Sequence, residues 1–91
     1  MQKGFNSDVS YKGSTYHVQT EDWGTRNPFI VSRIFKNGAV VVTLKKPYNE
    51  IPEFNSKNPD QIIKQALRRQ HGDIVEQLIS GKLDLIKSST I

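Results

Sequence analysis

The chain contains no cysteine, which removes disulfides, zinc–thiolate sites and thiol chemistry from consideration. Nor does it contain an apolar run near the roughly 20 residues that a membrane-spanning helix needs. Its first ten residues, MQKGFNSDVS, hold no signal-like apolar core. These absences predict a soluble, cytoplasmic protein with no membrane partner. Histidine is scarce, His17 and His71 being the two, and Trp23 is the single tryptophan. Charge of one sign is never concentrated: the net charge of +4 and the pI near 9.5 are spread along the chain, not gathered in a basic block. There is no internal repeat, low-complexity stretch, phosphate-binding glycine loop, helix-turn-helix or RNP-type pattern.

What remains describes one small folded domain spanning 1–91. At 35% hydrophobic and 24% charged, its composition is that of a globular protein. Hydrophobic periodicity predicts strands at about 4–10, 14–21, 28–36 and 39–46, a helix at about 59–80, and a tail over 82–91. In the second strand Tyr16, Val18 and Thr20 point one way, while His17, Gln19 and Glu21 point the other. The fold class expected is α+β: a four-stranded antiparallel β-meander with one long C-terminal helix packed on one face.

Asn37-Gly38 joins the two strongest strand signals, PFIVSRIF and AVVVTLK. A type I′ turn there fixes a register. Lys36 then faces Ala39, Phe35 faces Val40, Arg33 faces Val42 and Val31 faces Leu44. One side of this hairpin carries Phe29, Val31, Phe35, Val40, Val42 and Leu44, broken only by Arg33, and is read as the core. The other carries Ile30, Ser32, Ile34, Val41 and Thr43. The tract KKPYNEIPEFNSK is a connection whose Tyr48 and Phe54 lap the core edge. Asn58, Pro59 and Gln61 form a helix start, after which Ile63, Leu67, Gln70, Ile74 and Leu78 make a stripe running unbroken past Gly72. His71 sits at the margin of that stripe, and Gly81 suits the residue after the helix end.

Four groups of residues are candidates for function. Ile30, Ile34 and Val41, rimmed by lysines, form an apolar patch outside the expected core, and such patches mark interfaces. With the His17, Gln19 and Glu21 row, they point to a non-enzymatic interaction module that docks a protein partner or forms a homodimer. Trp23 and Arg26 in the turn EDWGTRNP, with Lys64, Arg68 and Arg69 on the helix edge, define a second reading as a nucleic-acid binder. A third places a small enzyme or metal site at His17 and Glu21. No spacing specifies a nucleophile, an orienting carboxylate or a metal-ligand set, so no catalytic residue, metal or cofactor is expected.

The stretch HVQTED followed by glycine at residue 24, the apolar hairpin with its glycine turn and the helical QH pair at 70–71 together resemble a family. The family is a group of short bacterial proteins, mainly deltaproteobacterial. The resemblance spans nearly the whole chain and implies a stand-alone bacterial domain, with no catalytic residues to carry over. Members more often have serine where this chain has Trp23.

Overall fold

The computed structural model describes residues 4–52 and 58–83. Strands β1 (Phe5–Tyr11), β2 (Ser14–Asp22), β3 (Phe29–Lys36) and β4 (Ala39–Pro47) form one antiparallel sheet in that spatial order. A single 3-10 turn at Tyr48–Glu50 follows, then helix α1 (Pro59–Ile79). The α+β meander with one helix on one face is therefore the architecture of the protein. Phe54 and the tail beyond Leu83 lie outside the described residues.

The meander follows from local chemistry. Asn37 and Gly38 both take positive φ, 53° and 80°, as a type I′ turn requires. Beyond that turn the ladder departs from the expected register. Lys36 pairs with Ala39 and Phe35 with Val40, but Ile34 then pairs with Val42, Arg33 with Thr43 and Val31 with Lys45. Val41 is the extra residue of a β-bulge, so Val42, Leu44 and Lys46 change sides.

The assignment of faces is also corrected. Ile30, Ser32 and Ile34 are all 0% exposed and lie beneath α1, so the patch read as an open interface is the core. Val41 is half-buried and packs on the same core. Two clusters fill the space. Val9, Tyr16, Val18 and Ile34 meet Ile74 and Leu78 near the hairpin turns. Ile30, Tyr48 and Ile51 meet Ile63 and Leu67 at the other end. Phe29, Phe35 and Val42 are only half-buried, and Val40 and Leu44 are exposed.

The physical reason lies in α1. Its buried stripe carries Gln70 and His71 as well as Ile63, Leu67, Ile74 and Leu78. A face with two such polar groups must meet hydrogen-bonding partners, and Thr20 and Ser32 supply them. Ser32, on the face read as lying outside the core, belongs with Thr20 to the inner face that meets these groups.

Helix α1 runs continuously through Gly72 and ends with Ser80 as C-cap and Gly81 at φ 76°. Its start differs from a capping box. The Asn58 side-chain amide donates to Gln61 Oε1 at 2.9 Å instead of capping the first turn. Among the described residues the helix packs mainly on β1, β2 and β3, with β4 at the flank of the sheet.

Candidate functional site

The turn between β2 and β3 begins at Asp22, whose side chain is 4% exposed. Its Oδ1 accepts the Gly24 N–H at 3.0 Å and the Tyr48 hydroxyl from the far side of the hairpin. Burial and this hydrogen bond to Asp22 raise the Tyr48 phenol above its ordinary range, so it stays a donor. The Trp23 N–H donates to the Phe29 carbonyl at 3.0 Å, and the chain re-enters the sheet there.

Trp23 folds onto the sheet face opposite α1. Arg33 Cζ lies 5.3 Å and Lys45 Nζ 4.9 Å from its ring centroid, and Lys45 also stands 5.7 Å from the Phe29 ring. Val31 is the position paired with Lys45 and two residues before Arg33, hence beneath the indole, and it is 1% exposed although α1 is on the other side. Among the described residues, the ion pair within 4 Å is His17 with Asp8, so neither Arg33 nor Lys45 meets a carboxylate at that distance.

His17, Gln19 and Glu21 share this open face. His17 Nδ1 lies 2.9 Å from Asp8 Oδ1, Nε2 lies 3.2 Å from Asn6 Oδ1, and the ring stands 6.1 Å from that of Phe35. Gln19 Nε2 donates to Glu21 Oε1 at 3.0 Å. A shallow depression of about 430 Å³ is lined by Asp8, His17, Gln19 and Phe35 among others. The pair His17 and Glu21 does not converge. Four residues along one strand separate them by about 13 Å. Among the described residues there is no group of three or more potential metal-ligating side chains.

The nucleic-acid constellation is split. Lys64, Arg68 and Arg69 are exposed on α1, Arg26 is exposed in the turn, and Trp23 is on the opposite layer with the sheet between. The cations that do accompany Trp23 are Arg33 and Lys45, which sequence reasoning passed over because Arg33 looked like a flaw in a core face. A separate groove of about 340 Å³ runs between α1 and β4, lined by Leu44, Lys46, Ile51, Ala66 and Arg69 among others.

The polar centre that sequence reasoning missed lies under α1. His71, 8% exposed, has Nδ1 2.8 Å from Thr20 Oγ1 and Nε2 2.8 Å from Ser7 Oγ. Thr20 Oγ1 lies 2.8 Å from Ser32 Oγ, to which Gln70 Nε2 donates at 3.0 Å. Burial, with the charge of His17 adding to it, lowers the His71 pKa, so the ring is neutral at physiological pH. The two histidines occupy opposite faces and do not form a joint site. The signal available in the sequence was the coincidence of Gln70 and His71 on an otherwise apolar stripe with Thr20 and Ser32 on apolar strands. Among the described residues, no helix is long and apolar enough to cross a membrane. No family model matches this chain, and no curated protein or solved structure is significantly similar to it.

Proposed function

We propose that the chain is a non-catalytic protein-binding module whose recognition surface is the sheet face opposite α1. The observation that carries this reading is the indole of Trp23 held between Arg33 and Lys45, neither within 4 Å of a carboxylate among the described residues. Beside it stands the half-buried ring of Phe29, and further along the same face, toward the hairpin turn, the half-buried rings of Phe35 and His17 border the shallow depression. Aromatic anchors beside cations suit an acidic segment that carries an apolar or aromatic residue. The hydroxyl–imidazole contacts of His71 are spent on holding helix to sheet, which favours a binding role over a catalytic one. Membership of the HVQTED group and a cytoplasmic location belong to the same proposal.

A second reading, single-stranded nucleic acid on the same face, draws on the same cation–indole cluster, because bases stack on aromatics beside cations. Chemical-shift mapping of the full chain separates the two. The probes are a glutamate- and tyrosine-containing peptide, a single-stranded oligonucleotide, and the protein itself in a dilution series. Peptide-induced shifts at His17, Trp23, Arg33 and Phe35, lost in an Arg33→Gln, Lys45→Gln double variant, are expected. Oligonucleotide shifts there that weaken between low and physiological salt would establish the second reading instead. If that face responds to neither probe and not to concentration, both readings fail.

A further inference from the structure

The hydrogen bonds that fasten α1 to the sheet have a direction, and it is fixed at one end. The Gln70 amide turns Nε2 toward the Ile30 carbonyl, 3.3 Å away, because Oε1 in its place would face another oxygen, and the same nitrogen donates to Ser32 Oγ at 3.0 Å. Ser32 is fully buried, and its own proton has Thr20 Oγ1, at 2.8 Å, to go to. Thr20, equally buried, must then donate to His71 Nδ1. Nδ1 is therefore the bare nitrogen, and Nε2 carries the proton and donates it to Ser7 Oγ. Ser7 is half-buried on β1, so the run ends there at the margin of the core. In this arrangement the atom left without a partner is Gln70 Oε1.

We infer that this directed run makes His71 an acid-sensitive latch, in which a proton on Nδ1 reverses the run and loosens α1 from the sheet. An Nδ1–H would meet the Thr20 O–H head on, so Thr20 and Ser32 would both have to turn. The Ser32 proton would then fall on the Gln70 amide. That amide accepts it only by rotating Oε1 inward, which sets Oε1 against the Ile30 carbonyl oxygen and takes Nε2 away from both of its acceptors. Either way one buried group loses its partner.

Among the described residues, no neighbour in contact with the ring brings negative charge. From β1 the ring meets Ser7 and Phe5, whose ring centroid is 5.8 Å away; β2 offers Thr20 and β3, through Thr20, offers Ser32. Arg68, Arg69 and Asp73, the charged neighbours on α1, are exposed. Across the sheet stands His17, whose partner Asp8 is on the far face. The folded ring binds a proton less readily than the unfolded one, so the unfolded state takes up protons first as pH falls. The latch is therefore complete above about pH 6.5 and is lost as pH drops from there toward the folded-state value.

Long-range proton–nitrogen correlation of the imidazoles in the full chain, at neutral pH, reads the tautomer directly. His71 as the Nε2–H form with Nδ1 bare is expected, and an Nδ1–H form overturns the latch. Urea unfolding as a function of pH is the second measurement. The unfolding constant should rise by up to about tenfold per pH unit below about pH 6.5. That rise should persist in His17→Gln and vanish in His71→Gln. In the wild-type chain the α1 amide signals should move with the His71 titration while those of β4 hold. A His71 that titrates at or above its ordinary value, with α1 unmoved, overturns the proposal whether or not the His71 variant folds.

Discussion

Asp22 and Tyr48 show how much a single pair can hold. The carboxylate is buried at the mouth of a turn and takes its donors from Gly24, two residues away, and from Tyr48, on the far side of a hairpin. Replacing Tyr48 with Phe keeps the ring but leaves the buried carboxylate short of a donor. A loss of about 1.5–3 kcal/mol in urea unfolding is the expected outcome, since hydrogen bonds to charged groups contribute that much. Trp23→Ala should also be destabilising, by about 1–3 kcal/mol, because it uncovers Val31 and removes two cation–aromatic contacts. The turn chemistry of this stretch is visible in Asp22, Gly24 and Asn27-Pro28. Its partner Tyr48 is not, because nothing in a linear sequence says which distant hydroxyl a buried acid will find.

At the scale of elements, α1 was the most legible and the sheet's faces the least. The helix stripe from Ile63 to Leu78 has one period throughout, and the structure keeps it whole through Gly72. Gly72 is exposed, and a Cβ there meets nothing within 4 Å. Gly72→Ala should therefore stabilise the protein by about 0.5–1 kcal/mol, read as a higher urea midpoint with unchanged slope. The hairpin turn was equally plain, since Asn37-Gly38 has one favoured geometry. The bulge at Val41 was not, because three consecutive valines at 40–42 offer no local feature that distinguishes the residue left out of the ladder. The inner face was misassigned for a related reason. Counting Ser32 with the face outside the core ignores that Gln70 and His71 need hydroxyls to meet them.

Among the described residues the sheet is covered unevenly, with α1 mainly over β1 to β3 and β4 at the flank. Stability should be distributed the same way. Ile34→Ala, beneath the helix, should lose about 2–5 kcal/mol, whereas Leu44→Ala, at 46% exposure, should lose under about 1 kcal/mol. Were the faces as the hairpin pattern alone implies, the order would be reversed, so equilibrium unfolding of this pair decides the assignment. A domain of this size has a thin margin, and the larger of these losses approaches its whole stability.

The bulge has a consequence for how this chain tolerates change in length. Loss of one residue from a strand ordinarily turns everything beyond it over, so that inner and outer positions trade places. In β4 the reading frame of the sheet already contains a spare. Loss of Val41 would leave Val40 opposite Phe35, Val42 opposite Ile34 and Lys45 opposite Val31, as they stand now. Anywhere in the run Val40 to Val42, where each deletion gives the same chain, a single-codon deletion spares both faces of the protein, and the loss is confined to one valine side chain.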